Sequence, residues 1–208
     1  FLETDDSDPE DLFENYSAGL FDYTGYDEII NEIIRAIIGK QKSLVSYYNA
    51  YQQKSKNFYV EPRRIVYFKG GLYVIVYVRR FEKFRLLALQ RIRKFKIQDE
   101  VYEQEPIFDT ERFWKKKFGL FSAENQTVTL KFSPDVRMHI EGRHWHTSQK
   151  YSEGQDGSLI LALQVGLSPE LISWIFSWNE YVDVLTPPEL IETISKKVDS
   201  LRNKYPAT

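Results

Sequence analysis

Between residues 41 and 97 the sequence places fourteen Lys and Arg against two acids, Glu61 and Glu82, a net charge of +12 in one short block. A block of that sign calls for an anionic partner: nucleic acid, a nucleotide or another phosphorylated ligand. Within it, Arg85 and Arg91 are the first candidates for gripping the anion, because a guanidinium fork matches phosphate oxygens two at a time. Tyr47 and Tyr73 fit the accompanying aromatic role, since a tyrosine stacks on a base and donates its hydroxyl. Arg64, Arg79 and Arg80 form a second tier, and Arg93 with Lys94 and Lys96 adds a dense cluster. Each has a plainer reading. Rim arginines steer a charged ligand without holding it, Glu61 or Glu82 is available for a structural ion pair, and a tyrosine often only fills a barrel wall.

A second constellation is His139, His144 and His146, all three histidines of the chain, beside Glu141. A His-x-His pair on a strand turns both rings to one side, as a metal requires. Here His139 falls on a predicted helix, and the sequence contains no cysteine to complete a set. A polar structural or effector-facing role for His146, Ser148 and Gln149 is therefore the expectation, with no metal and no cofactor. The Lys115-Lys116-Lys117 run reads as a solvated face, and Trp174 and Trp178, four apart, as core.

The elements that must position these residues follow from periodicity. Ile29, Ile30, Ile33, Ile34, Ile37 and Ile38 recur at helical spacing until Gly39, which predicts one amphipathic helix over 26–40. Strands are expected at 44–49, 64–68, 72–79, 84–89 and 91–97, with Lys69-Gly70-Gly71 as a hairpin turn. Five short strands behind a helix suggest a small barrel over 41–97. Arg85 shares parity with Leu87 and Leu89, so a bulge or sharp bend is expected near 85–91. After a connector at 98–122, strands at 127–132, 145–152, 159–165 and 181–185 alternate with helices opened by Ser133-Pro134 and Ser168-Pro169. A last helix begins at Pro187. The order β-α-β-β-α-β is that of a ferredoxin-like sandwich over 123–208, so the fold class is α+β.

Composition bounds the rest. The chain has 208 residues, 42% hydrophobic and 15% aromatic, enough for packed cores in two small domains. No run approaches the ~20 apolar residues of a membrane helix, so no membrane partner is expected. Residues 1–27 hold nine acids and no Lys or Arg, which reads as an acidic linker to about residue 25. The sequence begins at Phe1 and its only methionine is Met138, so a preceding segment is expected.

Several stretches resemble a known family. Val45-Ser46-Tyr47, Val60-Glu61-Pro62, Gly71-Leu72-Tyr73-Val74 and Arg85-Leu86-Leu87-Ala88-Leu89-Gln90-Arg91-Ile92 look like the strands of a WYL domain, an Sm-like (SH3-type) barrel of bacterial regulators. Trp145-His146-Thr147-Ser148-Gln149, Asp156-Gly157 and Val182-Asp183-Val184-Leu185-Thr186-Pro187 resemble the WCX extension that follows it. The naming motif is altered: Leu72 and Val74 stand for its Trp and Leu, and Leu87 for an expected Phe. These are apolar replacements that bear on packing. The resemblance places Arg85 and Arg91 on the family's basic positions.

What the resemblance implies is a cytoplasmic, homodimeric, ligand-sensing portion of a transcriptional regulator. Its effector would be single-stranded nucleic acid or a nucleotide-like molecule. Promoter DNA would be bound through a helix-turn-helix domain outside this sequence, with the Ile-rich helix as the relay. A direct single-stranded nucleic-acid-binding module is the alternative. A metal-dependent phosphodiesterase using the histidines is a remote one, since the sequence has no Gly-rich phosphate loop and no Ser-centred elbow.

Overall fold

The computed structural model describes residues 18–103, 105–115, 117–120 and 124–205. The acidic leader up to residue 17 and Lys116 lie outside them. The chain divides into two compact units, Phe1–Phe108 and Asp109–Thr208.

The first unit opens with helix α1 (Asp27–Ile38). Its isoleucines bury one stripe: Ile33 and Ala36 are fully enclosed, whereas Ile34 and Ile38 remain exposed. Strands β1 (Gln41–Asn49), β2 (Lys54–Phe68), β3 (Gly71–Val78), β4 (Lys83–Ala88) and β5 (Ile92–Val101) form one antiparallel sheet in the order β4-β3-β2-β1-β5. The core beneath α1 is aliphatic, with Val45, Val60, Val74, Val76, Leu87 and Ile92 at its centre.

Strand β2 makes the sheet curl. Its first half, from Lys54 to Val60, pairs with β1, and its second half, from Glu61, pairs with β3. At the junction the register slips: Pro62 faces Val76, Arg64 faces Ile75, and Arg63 is the extra residue. A bulge bends a strand and increases its twist, and Pro62 withholds a ladder donor at the same point. The β2–β3 turn is the expected one. Lys69 and Gly70 both have positive φ, 45° and 77°, the geometry of a tight primed hairpin. A Cβ at Gly70 would also meet the Gly19 carbonyl oxygen at 2.7 Å.

Three differences from the sequence reading matter. The strand expected from residue 64 begins ten residues earlier, at Lys54. No bulge interrupts β4, whose ladder with β3 runs unbroken from Tyr73–Ala88 to Val78–Lys83. The bend is made instead by a 3-10 turn at Leu89–Arg91 and by a register shift opposite it, between Ser46 and Tyr47 of β1. The stretch read as linker ends in ordered contacts: Phe21 donates its N–H to the Gly70 carbonyl (2.9 Å), and Leu72 N–H donates to the Tyr23 hydroxyl.

The second unit begins with the short helix α2 (Thr110–Trp114), then β6 (Asn125–Phe132), α3 (Arg137–Glu141), β7 (Lys150–Glu153), β8 (Leu159–Gly166), α4 (Pro169–Phe176), β9 (Val182–Thr186) and α5 (Pro188–Lys204). The sheet order is β7-β8-β6-β9, all antiparallel, as a ferredoxin-like β-α-β-β-α-β chain requires. Leu159, Leu161, Leu163 and Val165 alternate inward on β8 and are buried. The Ser168 hydroxyl caps α4 by accepting from Leu171 N–H (3.1 Å) and donates to the Phe118 carbonyl (2.9 Å). Trp174 and Trp178 pack on Phe132 and Trp145, the core role expected of them.

Candidate nucleic-acid and effector interface

The inner face of the curled sheet carries three of the candidate residues. Tyr47 follows the buried Val45 by two on β1 and packs on the same core. Its hydroxyl accepts the Ala88 N–H at 3.1 Å and so ties β1 to the end of β4. The Arg91 guanidinium lies 5.0 Å from the Tyr47 ring, and its Nε donates to the Tyr48 carbonyl at 3.0 Å. The 3-10 turn that ends β4 presents Arg91 in this way. Arg85 faces Val76 across the β3–β4 ladder, so it stands on the aliphatic face of that ribbon, with its exposed fork 4.7 Å over the Phe81 ring. Phe81 is the residue that inspection of the sequence passed over; its signal was its place in the Arg80-Phe81-Glu82-Lys83 turn.

The buried carboxylate of the unit is engaged elsewhere. Glu61 is 2% exposed. It accepts from Arg63 Nη2 at 2.8 Å and from Arg79 Nε at 2.5 Å. Arg63 in turn lies over Tyr102, its guanidinium carbon 4.0 Å from the ring centroid. Burial pushes the Tyr102 phenol up from its ordinary range. Hydrogen bonding to Glu61, then its charge, raises Arg79 further. Among the described residues neither Arg85 nor Arg91 makes an ion pair.

The remaining candidates are dispersed. Tyr73 pairs with Ala88 on the face of β3 opposite to Val74 and Val76, so alternation separates its side chain from Arg85. Arg93 stacks on Tyr48 at 5.1 Å, and Tyr48 lies on the other side of β1 from Tyr47. Arg64 lies 5.7 Å from Phe108, and Arg80 5.8 Å from Phe81. The structure thus brings together Tyr47 and Arg91 directly, sets Arg85 on the same inner face, and commits Arg79 to Glu61.

The histidines sit in the second unit. The segment expected to be a strand from Trp145 is a loop up to Gln149, and β7 starts only at Lys150. The Gln149 side chain organises that loop by accepting from the N–H groups of Trp145 (2.6 Å) and His146 (3.1 Å). Strand geometry therefore does not align His144 with His146. His146 is 8% exposed, and its Nδ1 accepts from Ser148 N–H at 3.2 Å. Burial holds its pKa below the ordinary value. The described residues contain no cluster of three His, Asp or Glu placed to hold a metal. Lys117, read as part of a solvated run, is half-buried instead. Its ammonium stands 3.2 Å from the Phe113 ring and donates to the Phe113 carbonyl (2.6 Å), and desolvation pushes it down to about 8.

Family comparison agrees with this architecture. The family model for the WYL domain matches residues 28–97, and that for the WCX domain matches residues 124–201. The chain is a WYL domain followed by a WCX domain. Both are regulatory sensing domains, and the WYL match spans α1 as well as the barrel. Among solved structures, the chain is similar to proteasome accessory factor B/C (PafBC) of Arthrobacter aurescens at 15% identity and a TM-score of 0.42, over 92% of this chain and 29% of that one. It is also similar to a CRISPR Cas-related protein at 14% identity and a TM-score of 0.52, over 85% of this chain and 52% of that one. At such identities the likeness concerns the fold alone, and this chain spans only part of either length. No curated protein sequence matches it. Among the described residues no helix is long and apolar enough to cross a membrane.

Proposed function

We propose that this WYL–WCX chain is the effector-sensing portion of a DNA-binding transcriptional regulator, and that its effector is an anion, single-stranded nucleic acid or a nucleotide. One observation carries the reading. Arg85 and Arg91 stand on the inner face of the WYL sheet, each over an aromatic ring, while Glu61, the one buried carboxylate among the unit's described residues, is engaged by Arg63 and Arg79. A guanidinium held on an aromatic face keeps its two terminal amino groups for a ligand, even where Nε is bonded as in Arg91, and phosphate oxygens fit that fork. Tyr47, packed on the core beneath Arg91, backs that guanidinium and fixes where it stands. In this reading α1, packed on the core through Ile33 and Ala36, relays the bound state toward a DNA-reading domain. A homodimer would couple two such readers.

A labelled single-stranded oligonucleotide titrated with the chain at several salt concentrations tests this, with mononucleotides as competitors. Each phosphate contact to a single strand contributes a slope of about −0.7 in log K against log salt, so Arg85→Ala/Arg91→Ala should flatten the slope by about 1.4. Competition by a mononucleotide marks a sensor. Saturation by an oligomer alone marks the second reading, a module whose target is the polynucleotide itself. Absence of binding by either ligand at low salt overturns both.

A further inference from the structure

The C-terminal helix does not finish where its packing does. In α5, Leu190 is fully buried and Ile194 packs on the second core. From Ser195 to Tyr205 every residue is exposed. An unsupported helix of that length is marginal in water, so its sequence must look for a partner. Beyond Leu190 its apolar residues are Ile191, Ile194, Val198 and Leu201, spaced three, four and three apart, and Tyr205 follows four later at the non-helical C-cap. That is the a/d pattern of a coiled-coil seam. Outside the core this seam is bare: Val198 is 47% exposed, Leu201 48% and Tyr205 77%.

The flanks say what the seam accepts. Its e and g positions are Ser195, Lys197, Arg202 and Lys204, three cations and no acid. Among the described residues none of these three cations makes an ion pair. Lys196, on the outer face, is instead paired with Glu192 (2.5 Å). Arg202 and Lys204 also suit a helix C-terminus, but Lys197, two turns earlier, does not gain from that position. Pairing with a second copy is opposed in either orientation. A parallel pair sets Lys197 against Arg202 of the copy, and an antiparallel pair sets Lys197 against Lys204. Opposite charges at e and g favour a partner and like charges reject it.

We propose that the free half of α5 docks an amphipathic helix of a partner protein, with aliphatic a and d residues and Glu or Asp at its flanking positions. The inference is independent of the anion site on the WYL sheet.

The test uses the full 208-residue chain and a fluorescein-labelled three-heptad peptide with Leu at a and d and Glu at e and g. A peptide with Lys at e and g serves as its counterpart. We expect the Glu peptide to bind at least tenfold more tightly than the Lys peptide, by anisotropy. Lys197→Glu/Arg202→Glu/Lys204→Glu should reverse that preference, and Val198→Ser/Leu201→Ser should abolish binding of both. Unchanged near-ultraviolet circular dichroism of the tryptophans will show that these variants fold. Binding that ignores the α5 variants would place the peptide on the basic WYL block and overturn the proposal. So would no binding, or sedimentation as a dimer that Leu201→Ser dissociates.

Discussion

Glu61→Gln is the sharpest perturbation of the WYL unit. It keeps the side chain's shape and removes the one charge that compensates Arg63. Glu61 and Arg63 have side chains only 3% and 9% exposed, and Arg63 Nε and Nη1 already lack partners among the described residues. Removing one member of a buried pair leaves the other uncompensated, at a cost of about 3–5 kcal/mol. For a unit of this size each kcal/mol lowers Tm by about 4–8 °C, so a fall of roughly 12–40 °C is expected. Arg79→Ala is the internal comparison. Its side chain is 54% exposed, so its bond to Glu61 is worth under about 1 kcal/mol despite the short distance. Glu61→Leu/Arg63→Met removes both buried charges and should return to within about 1 kcal/mol of the parent. The assay is urea and thermal unfolding followed by far-ultraviolet circular dichroism and tryptophan fluorescence together. All four tryptophans, at 114, 145, 174 and 178, lie in the second unit, so a transition seen by dichroism but not by fluorescence belongs to the first. If Glu61→Gln costs no more than Arg79→Ala, the buried pair does not hold the β2 bend and the argument fails.

Other outcomes follow from the same geometry. Arg79→Ala should leave oligonucleotide affinity within about twofold, because its Nε is held by Glu61 and its Nη2 by the Glu105 carbonyl (3.4 Å); a loss as large as that of Arg91→Ala, measured by anisotropy, would reinstate it as a contact. Tyr47→Phe strands the Ala88 N–H, buried at the end of β4, and should cost about 1–3 kcal/mol in urea unfolding of the first unit. His146 is held below its ordinary value of 6.5 by burial, so the folded state binds fewer protons than the unfolded one. The second unit should therefore lose stability as pH falls below about 6.5, read by tryptophan fluorescence, and His146→Gln should flatten that limb. Lys117 is depressed by desolvation to about 8 against 10.5, so the same linkage makes stability rise with pH between those values. Lys117→Met should remove the rise, and a slope unchanged in that variant would show the ammonium to be hydrated.

The elements were legible where periodicity reports burial. The Ile stripe of α1, the alternating Val74, Val76 and Val78 of β3, the Lys69-Gly70 turn and the Ser168-Pro169 helix start each have a local physical cause, and each stands where the sequence put it, whereas Ser133-Pro134 opens a 3-10 turn and α3 follows only from Arg137. The first half of β2 was hidden because Lys54–Asn57 are exposed and polar and Pro62 argues against a strand; pairing with β1 overrides both. Composition marked the block 41–97 as basic and starved of acids. It could not say which arginines Glu61 would take, because that choice depends on an extra residue in β2 placing Arg63 and Arg79 on one carboxylate. It could not separate Tyr73 from Tyr47, because a strand's two faces are assigned only when its neighbours are known. Local chemistry thus determined the helices, the turns and the sign of the charge. Register, bulge and burial, which are relations between distant segments, decided which side chains meet.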